Sequence, residues 1–127
     1  MTGASSGLGK ELAILFAQNG HDVVLVARSV SKLEDLAHEL MGAHGIKADV
    51  IAADLGDASA PRFIEEQAKA RGLTIDFLVN NAGFGSNGAF LDLDLGRELQ
   101  MIDVNVRSLV ELTHRFVRPM RERGFGR

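Results

Sequence analysis

The sequence predicts an α/β fold, a parallel and doubly wound sheet covered by helices, and three observations predict it. The chain opens on a glycine-rich turn, Thr2-Gly3-Ala4-Ser5-Ser6-Gly7-Leu8-Gly9, that runs straight into a helical apolar pattern. Short continuous apolar runs then alternate with segments of helical periodicity, the order expected when strands are buried on both faces between helices. Glycine, proline, serine or aspartate stands at each change of pattern, where elements start and stop. Parallel strands joined through helices imply right-handed crossovers.

Each element can be justified in turn. Glycines at positions 3, 7 and 9 let a backbone fold tightly, come close to a diphosphate and present helix N–H groups to it, so a nucleotide cofactor is expected. The helix that follows carries Leu8, Leu12, Leu15 and Phe16 as its expected packing face, with Ser5 or Ser6 placed to cap it and Gly20 to stop it. Val23–Ala27 reads as a strand buried on both faces. Ser31-Lys32-Leu33-Glu34 has the form of a capping box ahead of Leu33, Leu36, Ala37 and Leu40, and Gly42 lies beyond, which predicts a helix over residues 31–41. A third unit follows: a strand from Ala48 to Ala53, a loop at Asp54-Leu55-Gly56-Asp57, and a helix with Pro61 in its first turn and Gly72 at its end. Phe77-Leu78-Val79 predicts a fourth strand. Beyond the glycine-rich stretch Gly83–Gly88, the residues Leu95, Leu99, Ile102, Val106, Leu109, Leu112, Phe116 and Met120 step by three and four, predicting one long helix that stops near Pro119 and Arg121-Glu122-Arg123-Gly124. No repeat, linker or low-complexity segment interrupts residues 1–127, which read as one domain.

Composition narrows the function. A chain of 127 residues can bury roughly two thirds of its unfolded surface. Fourteen basic and 17 acidic residues give a net charge of −3, which offers no electrostatic case for nucleic acid or an anionic membrane. No signal-peptide pattern and no run near the ~20 apolar residues of a membrane span occurs, so a cytoplasmic protein acting on a small molecule is expected. The chain has no Cys, Tyr or Trp, which removes disulfides, thiolate ligands and a cysteine nucleophile. His21, His38, His44 and His114 share no ligand spacing, read as surface residues and predict no metal. Asp92 and Asp94 precede the long helix and read as its cap and first turn rather than as a catalytic carboxylate pair.

Four landmarks carry a resemblance. Thr2-Gly3-x-x-x-Gly7-x-Gly9, Asp54, Asn80-Asn81-Ala82-Gly83 and Asn105 within Asp103-Val104-Asn105-Val106 stand in the order and spacing of the short-chain dehydrogenase/reductase family. The resemblance covers essentially the whole chain and implies a Rossmann-type sheet, incomplete here because the first strand and the C-terminal half of the family fold are absent. In the family order 3-2-1-4-5-6, loss of strand 1 implies an open slot or poor pairing in mid-sheet, with edges prone to aggregation. Met1 stands where the family usually carries Val; since GTG encodes Val internally and Met at a start, a misplaced start or truncated frame is expected.

The candidate site follows from residue chemistry and from the resemblance together. Gly3, Ser5, Ser6, Gly7, Leu8 and Gly9 should cradle the diphosphate through backbone N–H groups and hydroxyls. About 20 residues past the glycines, where an acidic residue would select NAD, the sequence has Arg28-Ser29. A guanidinium pairs with a ribose 2′-phosphate and a carboxylate repels it, so Arg28, with Ser29, argues for NADP over NAD. The resemblance implies adenine contact for Asp54 with Leu55 beside it. It also implies that Asn81, Ala82 and Gly83 line the nicotinamide ribose and tie strands together. For Asn105, locally unfavourable in mid-helix, it implies positioning of a catalytic Lys through a water and a local helix distortion. The family's catalytic Ser and Tyr-x-x-x-Lys pair are missing, so the resemblance implies an NADP-dependent oxidoreductase whose catalytic acid lies outside these residues. A non-catalytic NADP-binding regulatory module and a gene remnant are the alternatives. Family likeness also implies a homo-oligomer joined through the long helix, whose apolar stripe would equally serve the core.

Overall fold

The apolar run Val23–Ala27 forms strand β1, which pairs in parallel with β2, Ala48–Ala52, from Val23 opposite Ala48 to Ala27 opposite Ala52, in a computed structural model that describes residues 1–127. Backbone contacts gather the chain into two units: Met1–Asp54 with Val79–Ala82, and Leu55–Leu78 with Gly83–Arg127. The α/β class holds, as a partial Rossmann fold with a two-stranded parallel sheet.

In the first unit, helices α1 (Gly7–Gln18) and α2 (Val30–His44) enclose β1 in a core of Ala4, Ala13, Ala17, Val23, Leu25, Leu33, Leu36, Ala37 and Leu40. The packing face of α1 is not the expected one. Leu8 and Leu15 are 68 % and 53 % exposed, whereas Gly9, Ala13 and Ala17, spaced by four, are buried. Small side chains on one stripe let the helix backbone lie close to its neighbours; of the larger residues, Leu12 is half-buried and Phe16 packs against the edge of the core with Ile14, while Leu8 and Leu15 face out. Helix α2 also differs: Ser29 is its N-cap, so Ser31 already lies in the first turn and no capping box forms. Gly42 sits inside α2, a cost of about 1 kcal/mol, and the helix ends at Gly45, which supplies the left-handed φ of 68° that a C-terminus favours. Met1 and Thr2 lie along β1: the Met1 amino group donates to Val24 O (2.8 Å), Val26 N donates to Met1 O (2.9 Å), and Thr2 makes a parallel bridge to Val26. Thr2 N also donates to Val79 O (3.0 Å), so the expected mid-sheet slot is bridged at this point.

In the second unit, α3 (Ala60–Ala70) packs on α5 (Ser108–Arg123) through Ile64, Ala68, Leu112, Phe116 and Met120. Asp57 anchors the start of α3; Ser59 donates to its carboxylate from both N (2.7 Å) and Oγ (2.8 Å), which holds the Asp57 carboxyl below its usual range. A carboxylate network ties the two helices: Glu65 receives Lys69 (2.6 Å) and Arg115 (2.7 Å), and Arg115 also reaches Glu111 (2.7 Å). These donors, Lys69 first, hold the Glu65 carboxyl below its usual range.

One further expectation is corrected here. Phe77–Val79 is not a strand, because a ladder needs repeated bonds to a neighbour; Leu78 N donates to Arg127 O and Arg127 N to Asp76 O, a single bridge. The expected long helix is present from Leu95 to Arg123 without a break: α4 (Leu95–Ile102) continues through a π-turn over Asp103–Arg107 into α5, which runs past Pro119 before Gly124 closes it. Asp94 caps α4, accepting from Arg97 N (2.8 Å), while Asp92 belongs to a separate 3₁₀ turn, Phe90–Asp92. The apolar stripe divides: Leu112, Phe116 and Met120 are buried, and Leu95, Leu99, Ile102, Val106 and Leu109 are exposed. No helix is long and apolar enough to cross a membrane.

Candidate dinucleotide site

The opening turn is built by contact. Gly3 takes a φ of 67°, and a Cβ placed on it would stand 2.9 Å from Ala82 Cα and 2.8 Å from Asn81 Nδ2. Gly9 has ordinary helical geometry, but a Cβ there would run into the carbonyl oxygen of Gly3 and meet Asn81 Nδ2 at 2.5 Å. The first helical turn is thus pressed against the turn that precedes it, with no room for any side chain at position 9. Ser6, Gly7 and Leu8 are exposed. Gly7, Leu8 and Gly9 contribute N–H groups of the first turn, which have no acceptor within an α-helix. Ser6 makes no capping bond with its side chain, and the first turn holds no acidic residue. At the exposed Ser6, Gly7 and Leu8, backbone donors, a hydroxyl and the positive end of the helix dipole therefore stand open together, with Gly9 buried behind them, a setting that suits an anion such as a diphosphate.

A buried threonine fastens this corner. The Thr2 hydroxyl accepts from Asn81 N (3.1 Å) and Ala82 N (3.0 Å) and donates to Val79 O (3.4 Å), while Asn81 Nδ2 donates to Thr2 O (3.1 Å). Thr2 is 3 % exposed, so its bonds are out of competition with water. Asn81 and Ala82 are in this structure the braces of the glycine turn. Arg28 is exposed just beyond β1, and Ser29, although it is the N-cap of α2, leaves its hydroxyl out of the cap. Asp54, exposed, follows β2 by two residues. Arg28 and Asp54 thus stand at the carboxyl ends of parallel strands, where doubly wound sheets bind ligands.

In the second unit Leu55 is 7 % exposed and belongs to the core more than to any surface. Gly83 and Asn105 come together: a Cβ on Gly83 would stand 3.1 Å from Asn105 Oδ1. The Asn105 amide imitates a peptide, accepting from Phe84 N (3.1 Å) and donating to Phe84 O (2.8 Å). The residue sits in the π-turn, so the helix distortion expected around it is present. The Asp103 carbonyl is taken one residue later than in an α-helix, by Ser108 N, and Ser108 Oγ donates to Val104 O (2.7 Å). Arg107 pairs with Asp103 at 2.9 Å. Such π-turns cluster at functional sites.

Thr2, Phe84, Ser86 and Glu98 were not among the site residues expected from sequence. Thr2 had a signal, since a threonine against the first glycine is a polar residue at the end of an apolar position. Phe84, Ser86 and Glu98 had none, because their contacts join a loop to a helix 12 to 21 residues on.

A glycine turn leading into a helix at the carboxyl edge of parallel strands defines the class, an α/β protein of Rossmann type. The chain belongs to the short chain dehydrogenase family, whose family model matches residues 1–127. It is 33 % identical over 126 residues to "Probable oxidoreductase EphD" of Mycobacterium tuberculosis, covering 99 % of this chain and 21 % of that protein. Among solved structures, a short-chain dehydrogenase from Sphingobium yanoikuyae in complex with NADPH superposes with a TM-score of 0.91 at 32 % identity, over 99 % of this chain and 49 % of the other. The L-sorbose reductase of Gluconobacter frateurii, complexed with NADPH and L-sorbose, superposes with a TM-score of 0.92 at 33 % identity, over 99 % and 48 %. The chain thus spans a fifth of that curated relative and about half of each solved chain.

Proposed function

We propose that this chain is the coenzyme-binding part of an NADP-dependent oxidoreductase that moves hydride between a nicotinamide and a carbonyl or alcohol substrate. The observation that carries the reading is the side-chain-free contact of Gly9 on the Gly3 carbonyl beneath the open N-terminus of α1. NADP, when bound, supplies or accepts the hydride. The chain's own residues do the rest: N–H groups of Gly7, Leu8 and Gly9, with the hydroxyls of Ser5 and Ser6 and the backbone of Gly3, bind the diphosphate. Arg28 and Ser29 hold the 2′-phosphate by charge-assisted bonds, and Asp54 and Leu55 border the adenine. Ala82 and Gly83 leave room for the nicotinamide ribose, with Asn81 as their brace. Asn105 fixes the Phe84 backbone and, in the intact enzyme, positions the proton relay.

Crystallisation of the Sphingobium and Gluconobacter relatives with NADPH supports the choice of coenzyme. The sequence has no Tyr to exchange the substrate proton, so these residues alone bind coenzyme without turnover. The same reading places the protein in the cytoplasm and has the intact protein self-associate, covering exposed Leu95, Leu99, Ile102 and Val106.

Arg28→Ala tests the coenzyme choice. Removing a charge-assisted phosphate contact worth about 1.5–3 kcal/mol should weaken NADPH about 10- to 100-fold and leave NADH affinity unchanged, as read by calorimetry. Equal loss for both coenzymes, or for neither, would overturn the assignment.

A further inference from the structure

The loop that follows Gly83 is held from one side by three residues of the α4 and π-turn region. Asn105 clamps the Phe84 backbone through two hydrogen bonds (3.1 and 2.8 Å). The Arg97 guanidinium lies 5.3 Å from the centre of the Phe84 ring. Ser86 Oγ donates to Glu98 Oε2 at 2.9 Å. Asp94, by accepting from Arg97 N at 2.8 Å, fixes the first turn of α4 and so the backbone from which Arg97 and Glu98 project. Three separate attachments thus fall within three residues of one loop. Gly85 and Gly88 confer slack that would let the loop drift, and the attachments remove it.

We infer that Glu98 is a positioning residue: its carboxylate anchors Ser86 and thereby keeps the Phe84 backbone in register with the Asn105 amide, setting the nicotinamide-facing loop of the coenzyme site. The inference rests on the proposed coenzyme function for the word nicotinamide, but not for the anchoring. Glu98 touches no reacting atom and acts through Ser86 and Phe84. What Ser86 requires is an acceptor rather than a charge, so Gln at position 98 should serve and Ala should not. The effect is local to one end of the coenzyme, since the diphosphate donors belong to the Gly3–Gly9 turn.

The test uses Glu98→Ala, Ser86→Ala, Glu98→Gln and the Glu98→Ala/Ser86→Ala double variant of the 127-residue chain. Amide hydrogen exchange of the Phe84 N–H should accelerate by up to about tenfold in each alanine variant, the loss expected for one ordinary hydrogen bond. The double variant should be no faster than either single one, and Glu98→Gln should exchange as the unchanged chain does. Calorimetry with NADPH and with 2′-phospho-ADP-ribose, which lacks the nicotinamide, should show Glu98→Ala weakening only NADPH. Unchanged Phe84 exchange in the alanine variants, additive effects in the double variant, or failure of Gln to restore protection would overturn the anchoring. Equal loss of both ligands would overturn its confinement to the nicotinamide end. Should the unchanged chain bind neither ligand, the coenzyme reading fails and the nicotinamide assignment with it, while the exchange results still decide whether Glu98 sets the loop.

Discussion

Replacing Gly9 by alanine separates a helix effect from a contact effect with opposite signs. Gly9 lies within α1 at ordinary helical φ, so intrinsic propensity favours Ala by about 1 kcal/mol. The added Cβ, however, would collide with the Gly3 carbonyl oxygen, stand 2.8 Å from the Gly3 carbonyl carbon and 2.5 Å from Asn81 Nδ2. Two of these neighbours are backbone in a turn that Thr2 and Asn81 brace, so they cannot step aside as a flexible side chain would. Overpacking of that kind costs about 1–3 kcal/mol, and set against the propensity gain the net result is a loss of up to about 2 kcal/mol. For a chain of this size that lowers the melting temperature by up to roughly 8 °C. Gly42→Ala in α2 is the matched control: a Cβ there meets nothing within 4 Å, so that change should gain about 0.5–1 kcal/mol. Urea unfolding of the two variants against the unchanged chain reads both. If Gly9→Ala matches Gly42→Ala in stability, the close approach at the turn is not real and the reasoning built on it fails.

Further expectations concern the contacts that hold the rest together. Thr2→Val keeps the shape but leaves the Asn81 and Ala82 N–H groups without their acceptor, and should cost at least about 1–3 kcal/mol in urea unfolding. Asn105→Leu strips both bonds from the Phe84 backbone and should cost a similar ~1–3 kcal/mol, with faster exchange at Phe84 N–H. Glu65→Gln should lose up to ~1 kcal/mol near pH 7. Because the folded Glu65 carboxyl is held below its ordinary value of 4.5, its contribution is complete above that pH and fades as pH falls through the lower folded value. The stability gap between Glu65→Gln and the unchanged chain should therefore narrow as pH falls below 4.5; a gap that does not narrow in acid would show that packing, not charge, is what the substitution disturbs.

Periodicity and punctuation made β1, β2, α2 and α3 legible, since runs such as Val23–Ala27 and the Leu33, Leu36, Ala37, Leu40 spacing report burial directly. The packing face of α1 escaped because Gly9, Ala13 and Ala17 bury themselves by being small, a property invisible to a count of large apolar residues. Leu95 to Met120 was legible as one helix because a π-turn adds a single residue, which shifts the stripe without breaking the helix; the division of that stripe into exposed and buried parts was not legible. Phe77–Val79 has the composition of a strand, but pairing is a property of neighbours and cannot be read from three residues. Within the candidate site the glycines announced their own role, and Asn81 was visible as a residue with both binding and bracing potential. The anchors Ser86 and Glu98 were not, because polar residues 12 apart in a loop and a helix have no sequence signature.

The diphosphate role of the Thr2–Gly9 corner is tested most directly by titrating NADPH into the isotopically labelled chain and following its amide resonances. The largest shifts should fall on the Gly7, Leu8 and Gly9 amides of the first turn of α1, with Arg28 and Ser29 next. Saturable binding that leaves those three amides unmoved, or no binding at millimolar NADPH, would contradict it.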